Sequence, residues 1–388
     1  MDFDVGPELD AFRASVRAFA EKEIAPLVDA AEAAERTPIE TFRKAGEAGF
    51  LGIRYPEEVG GSGATVLAET ILREELARVC SGIAAALSVS SHLGTYPIHA
   101  FGSLEQQERY LIPALKGEKV SAFGLTEPQA GSDVRGIRTR ATKQGDGWVL
   151  KGRKTFITNA TIADFMIVVA YTDPDAGIDG MGLFVVDLPA DGVAITRIKK
   201  MGHLSSEIGE VALDDVVVPD SACLGGAHGA WKRVMNTLGI GRAVVSGGAL
   251  GVGSAAIELA VEYARDREAF GAPIASYQGI SFPLAQAHAR LEAARLAVYQ
   301  AAWLFDEGRD PVEEVSAAKW LAGEAVLHAV DTAVRVFGGY GYMREYPIER
   351  LYRDARYFPI VEGTGEIHLR VIASRLGLDR SARGASRG

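Results

Sequence analysis

Leu284, Leu291, Val298 and Phe305 recur every seven residues, and Ala287, Ala294 and Ala301 line the same face. Such a stripe fits a long helix whose apolar seam must be covered by other helices. Its small residues let neighbouring helices approach closely. The spacing therefore predicts a bundle of long antiparallel helices. Helical period starts after Gly229 and holds to Leu376, which places this bundle over 226–378.

The chain also opens helically. Leu9, Phe12, Val16 and Phe19 recur at three and four residues within 8–34, where Pro26 is expected to kink or divide the helix. Further helical stretches are expected over 39–48, 65–80, 82–101 and 104–116, with a turn-rich loop at 55–63 between the first two. An N-terminal helical domain over 1–120 follows.

Near Val120 the pattern changes. Residues 165–171, 182–187 and 211–218 are β-branched or aromatic runs between turn residues, and Trp148-Val149-Leu150 after Gly145-Asp146-Gly147 reads as the second strand of a hairpin. This predicts an antiparallel β-domain over 121–225. The fold class is mostly α with a central β-domain. A polar tail, 379–388, reads as flexible.

A chain of 388 residues supports two or three such domains. Its net charge of −10 argues against nucleic acid and anionic membranes as partners, though not against an anionic metabolite. Cys80 and Cys223 form no CxxC, so a reducing compartment fits. His92, His99, His203 and His228 show no ligand spacing, so no metal site is expected. Met1-Asp2-Phe3-Asp4 is acidic and unlike a signal peptide, and the longest apolar runs, such as 165–171, are strand-length. No membrane span and a cytoplasmic location are expected.

Four stretches could carry chemistry. In Phe123-Gly124-Leu125-Thr126-Glu127-Pro128-Gln129-Ala130-Gly131-Ser132-Asp133, hydroxyls, amides and glycines suit a polar planar ligand, or simply a turn. In Phe156-Ile157-Thr158 an aromatic and a hydroxyl two apart share a strand face. Arg265-Asp266-Arg267-Glu268-Ala269-Phe270-Gly271 is a phosphate clamp or a helix end with favoured cations. Phe337-Gly338-Gly339-Tyr340-Gly341 cradles a pyrophosphate or turns the chain. A GxGxxA match at 251–256 lacks a preceding strand and reads as helix, not as a dinucleotide site. Finally, Ile360-Val361-Glu362-Gly363-Thr364-Gly365-Glu366-Ile367 sets a carboxylate at a helix start beside a glycine.

Together these motifs resemble the acyl-CoA dehydrogenases. Thr126-Glu127-Pro128, Gly131-Ser132-Asp133, Phe156-Ile157-Thr158, Arg267 with Phe270-Gly271, Tyr277-Gln278, the 337–341 turn and Glu362-Gly363-Thr364 keep that family's order and spacing over about 240 residues. The resemblance covers about residues 5–378 and implies a C-terminal four-helix bundle.

It also implies FAD as cofactor. Phe123, Leu125, Thr126, Gly131 and Ser132 would run along the flavin, and Phe156, Ile157 and Thr158 would flank it, with Phe156 where many members carry Trp. Arg267, Phe270, Gln278, Arg335, Gly338 and Gly339 would come from a second subunit and hold the pyrophosphate and adenosine. Thr364 and Glu366 would close over the cofactor. Glu362 matches the catalytic base, which removes the α-proton while flavin N5 takes the β-hydride, giving a trans-2-enoyl thioester. The thioester oxygen would be held by a ribityl hydroxyl and the Glu362 N–H. Ser132, Arg242 and Gly363 would contact substrate. Some members carry the base at the position of Gly241, which has no side chain. Gly239 replaces a frequent pantetheine-binding Asp, so a carrier-protein thioester stands beside CoA. Val361 replaces a frequent Tyr beneath the acyl chain. The partners implied are an electron-transferring flavoprotein and further copies of the chain, as a homodimer or homotetramer. A flavin-dependent oxidase or monooxygenase on the same fold is the alternative.

Overall fold

The computed structural model describes residues 5–378. The expectations for the tail at 379–388 and for Met1–Asp4 lie outside these residues.

The N-terminal part holds α1 (Pro7–Phe19), α2 (Val28–Ala34), α3 (Glu40–Glu47), α4 (Val66–Ser88), α5 (Tyr96–Phe101), α6 (Leu104–Gln106) and α7 (Ile112–Leu115). The chain passes from α1 to α2 through a π-turn and a 3₁₀ turn that contains Pro26, so the expected helix is divided there. Helix α4 bends at Cys80, whose φ of −153° and ψ of 103° are not helical.

The middle part is a seven-stranded sheet: β1 (Ser121–Gly124), β2 (Arg140–Gln144), β3 (Gly147–Thr158), β4 (Phe165–Tyr171), β5 (Met181–Asp187), β6 (Val193–Arg197) and β7 (Ile208–Pro219). Its order is β1-β4-β2-β3-β7-β6, with β5 on β4. The pairs β2–β3, β3–β7, β4–β5 and β6–β7 are antiparallel, as expected. The β1–β4 pair, Ser121 to Phe165 onward, is parallel, and β2 touches β4 in parallel at Arg140–Tyr171. Strand β4 is apolar throughout because it has two buried faces. Phe165, Ile167 and Val169 enter one core cluster; Met166, Val168 and Ala170 enter another.

The C-terminal part holds α8 (Ala230–Asp266), a small hairpin of β8 (Glu268–Ala269) and β9 (Ala272–Pro273), α9 (Gln278–Asp306), α10 (Val312–Phe337), α11 (Ile348–Ala355) and α12 (Gly365–Arg375). Helices α8, α9 and α10 pack on one another, and α12 lies on α10 to complete four. On α9 the predicted seam is buried at Leu284, Ala287, Leu291, Ala294, Val298 and Ala301. Phe305 is only partly buried.

Helix α4 packs along α8, and residues of both join one hydrophobic cluster with α9 and α10. The two helical regions thus share a core. The glycines of α8 allow this contact. A Cβ on Gly251 would stand 2.0 Å from Glu74 O, and one on Gly247 would stand 2.4 Å from Thr70 O. The GxGxxA match is therefore a helix-packing surface. By length and composition alone, the helical segments Val66–Phe101 and Ala230–Asp266 could cross a bilayer, which corrects the expectation of strand-length runs only; most of each is buried inside the fold.

Candidate active site

Glu362 lies in the connection between α11 and α12. Phe358 is buried and anchors this connection. Lys319 on α10 donates its Nζ to Phe358 O, and Gly365 N donates to Pro359 O at 3.0 Å. Thr364 caps α12 by accepting from Ile367 N, so a helix starts in the octapeptide as expected. Glu362 itself has φ of 53° and Gly363 has φ of 102°. A left-handed Glu costs on the order of 1–3 kcal/mol and persists only where its surroundings hold it. Here Arg242 Nε donates to Glu362 O at 3.2 Å.

The side chain then points into the protein. Oε2 of Glu362 is buried without a hydrogen-bond partner. It lies against Gly241 on α8. Burial raises the Glu362 carboxyl to about 7, although Lys319, Arg242 and Arg73 pull it down. Burial in turn lowers the Lys319 ammonium. His368 is fully buried beside Gly363, and burial pushes it down to about 3, so its imidazole is neutral. The result is a partly protonated carboxyl with one unengaged oxygen, ringed by cations that do not ion-pair with it.

A second group of predicted residues gathers at the start of the β-domain. Glu127 is buried and accepts from Lys154 Nζ at 2.8 Å, Thr139 Oγ1 at 2.6 Å and Arg138 N at 2.6 Å. Burial opposes its charge, yet Lys154 and these donors hold it down to about 2. Lys154 also donates to Leu125 O at 3.1 Å, and Thr155 N to Thr126 O at 2.9 Å. The loop is thereby pinned to β3. Thr126 is half-buried, while Gly131 and Ser132 are exposed. Phe123 and Leu125 are buried in the core. The β3–β7 register shifts between Lys154 and Ile157, and Phe156 in that bulge has φ of 59°. Phe156 is turned outward and is 65% exposed, Ile157 is buried, and Thr158 is half-buried.

A third group forms a cleft of about 410 Å³, lined by Arg267, Gly338, Gly339 and Tyr340 among others, and by no residue of 121–220. Gly338 has φ of 60° and ψ of −132°, a conformation that suits glycine. A Cβ on Gly338 or Gly339 would meet nothing within 4 Å, so both backbones face open space. The Arg267 guanidinium lies 6.0 Å from the Tyr340 ring centroid. Phe270, at the tip of the β8–β9 hairpin, is 99% exposed. Gln278 and Arg335 are exposed and do not line the cleft. Thr364 is half-buried and Glu366 exposed, with hydrogen bonds from its own N–H and Thr364 lowering the Glu366 carboxyl.

Sequence reasoning missed Lys319, Arg73, His368 and the Glu127–Lys154 pair. Lys319 carried a signal: it shares the apolar face of Val315, Ala318 and Ala322 on α10.

Known proteins match this arrangement along its whole length. The N-terminal, middle and C-terminal domains of acyl-CoA dehydrogenases match residues 6–118, 122–216 and 228–377. The 3-(aryl)acrylate reductase of Clostridium sporogenes is 43% identical over 370 residues, covering 95% of this chain and 98% of that one. The caffeyl-CoA reductase-Etf complex subunit CarC of Acetobacterium woodii is 41% identical, covering 94% and 97%. The structure of butyryl-CoA dehydrogenase from Megasphaera elsdenii superposes with a TM-score of 0.93 at 38% identity, covering 97% and 100%.

These define a flavin-dependent oxidoreductase of the helical–β–helical type. The chain belongs to the acyl-CoA dehydrogenase family, and its cofactor is FAD. The residues present fit that group. Arg267 and the open glycine backbones suit phosphates. The outward rings of Phe156 and Phe270 suit a planar apolar cover.

Proposed function

We propose that the chain oxidises an acyl-CoA thioester between Cα and Cβ, with Glu362 as the base that takes the α-proton. One observation carries this reading: Glu362 Oε2 is buried, free of partners, and raised to about 7. A base poised near working pH combines ionised population with proton affinity. When bound, FAD supplies the acceptor for the hydride that leaves Cβ. The Glu362 N–H is the donor this chain offers to the thioester oxygen, and Arg242 holds that peptide by its carbonyl. Phe156 and Thr158 would flank the flavin, and Thr126 would donate to its ring. Two relatives are named as reductases, the reverse exchange, in which protonated Glu362 would return the proton.

The electron acceptor on this reading is an electron-transferring flavoprotein, supported by the relative named as a subunit of an Etf complex. The assembly is at least a homodimer. Arg267, Gly338 and Gly339 line a cleft without any β-domain residue, which supports a cofactor site completed by a second copy.

The test is an anaerobic titration of the yellow protein with acyl-CoA thioesters. Bleaching by a thioester, with fast reoxidation by an electron-transferring flavoprotein and slow reoxidation in air, is expected. Fast reoxidation in air would favour the oxidase alternative. A flavin inert to every thioester would end the dehydrogenase reading.

A further inference from the structure

The chemistry above gives no task to the buried ion pair of Glu127 and Lys154. Lys154 on β3 is fully buried, and Glu127 is 3% exposed. Taking two charges out of water is costly, and apolar groups of similar volume often serve stability as well. The carboxylate also has no room for a ligand. Its Oε1 accepts from Lys154 Nζ at 2.8 Å, Thr139 N at 3.0 Å and Thr139 Oγ1 at 2.6 Å. Its Oε2 accepts from Arg138 N at 2.6 Å and Gln129 Nε2 at 2.7 Å. The pair therefore acts through what it holds in place.

What it holds is Thr126. Lys154 Nζ donates to Leu125 O at 3.1 Å as well as to Glu127, so one ammonium grips the residues on both sides of Thr126. Thr155, the next residue of β3, donates its N–H to Thr126 O at 2.9 Å. Glu127 and Ala130 close the turn by exchanging N–H···O bonds at 3.1 and 3.0 Å. The Thr126 carbonyl is thus engaged, whereas among the described residues its N–H and Oγ1 have no hydrogen-bond partner. Lys154 is also the last residue of β3 paired with β7, at Val211, before the bulge that carries Phe156. One side chain ties the loop donor to the strand that presents Phe156 and Thr158.

We propose that Lys154 and Glu127 are positioning residues for the flavin: the buried pair holds Thr126 at the ring and thereby raises the cofactor's reduction potential. A flavin gains electron density on its pyrimidine edge when it is reduced, so a donor held there favours the reduced form. A donor on a free loop would have to be ordered each time, and its bond would be worth less. Three fixed points within Leu125–Glu127 remove that cost. The proposal rests on the reading that places Thr126 beside the flavin.

The experiment reads the flavin midpoint potential of holoenzyme against a redox dye, with no substrate present. Three variants are compared with wild type: Thr126→Ala, the pair variant Glu127→Gln with Lys154→Met, and all three substitutions together. The pair variant removes both charges, so no single charge is left buried. Thr126→Ala and the pair variant should each shift the flavin toward its oxidised form by about tenfold, the worth of one hydrogen bond, or about 30 mV for a two-electron couple. The combined variant should fall well short of the sum, because the pair acts through Thr126. FAD content and Tm report whether each variant folds. If the pair variant does not retain FAD, Glu127→Gln alone takes its place and should give a smaller shift in the same direction. A parent potential in the pair variant, or in Glu127→Gln where that stands in, overturns the proposal, as does a combined shift equal to the sum. If Thr126→Ala alone keeps the parent potential, the placement of Thr126 at the ring has failed instead.

Discussion

A Cβ built on Gly241 would stand 2.4 Å from Oε2 of Glu362. The carboxylate occupies the room that any side chain on α8 would take at this position. The two places from which the family supplies its base thus converge on one point in space, and a chain can fill it from only one of them.

Gly241→Ala tests this directly. The position is helical, so alanine suits the backbone and favours the helix by roughly 1 kcal/mol. The methyl group must push the carboxylate aside. FAD content and Tm should hold, while the rate of flavin reduction falls by about 10²-fold, the cost of misplacing a reacting group by about 1 Å. An unchanged rate would show that Glu362 does not act from where it lies.

Glu362→Gln keeps volume and backbone but removes the base. The expected product is a yellow protein that binds thioester and no longer bleaches, with a loss of at least ~10²–10⁴-fold. Glu366→Gln is the contrast. Glu366 is exposed in the first turn of α12, so its variant should bleach at close to the parent rate with FAD bound. Stopped-flow reduction of both variants reads the difference.

Activity and stability should move in opposite directions with pH. Burial raises Glu362 to about 7, and oxidation needs the ionised form, so kcat/KM should climb as pH rises to about 7 and then level. The folded protein holds this proton more tightly than the unfolded chain does. Its stabilising share is therefore complete below the ordinary carboxylate range and is lost as pH rises through about 7. Asp354, also raised to about 7 by burial, adds the same slope. The difference in Tm between wild type and Glu362→Gln across pH 5–8 isolates Glu362. A constant difference would mean that the carboxyl is not raised.

Arg267→Ala should weaken FAD retention by ~1.5–3 kcal/mol, the worth of a charge-assisted contact, and leave helical content intact. Equilibrium dialysis against FAD measures this. Unchanged affinity would leave Arg267 as a helix-end charge stacked near Tyr340.

The helices were legible because their signals are local. The α9 seam from Leu284 to Ala301 is buried as its spacing requires. The helix start in the octapeptide could be read because it depends on neighbouring residues. Non-local features were hidden. The parallel β1–β4 pair joins Ser121 to Phe165, and no turn signal announces a pairing across that distance. Arg73 looks in sequence like one charge on a solvated face of α4. Its burial depends on how closely α8 approaches, which the glycines of α8 decide from some 170 residues away. Phe156 was found as an aromatic, but its outward turn comes from a bulge set by the register against β7.

The cleft around Arg267 and Gly338 contains nothing from the β-domain, and this bears on inheritance as well as on binding. Where a catalytic centre takes its base from one chain and its phosphate clamp from another, two defective copies can repair each other. At FAD concentrations too low to fill the weakened site, a chain lacking Arg267 and a chain lacking the Glu362 carboxylate would each be silent alone. Mixed in one dimer, they would assemble one centre with both defects and one with neither. Half the centres would then work, and lesions at these two residues would behave as separate functions of a single gene.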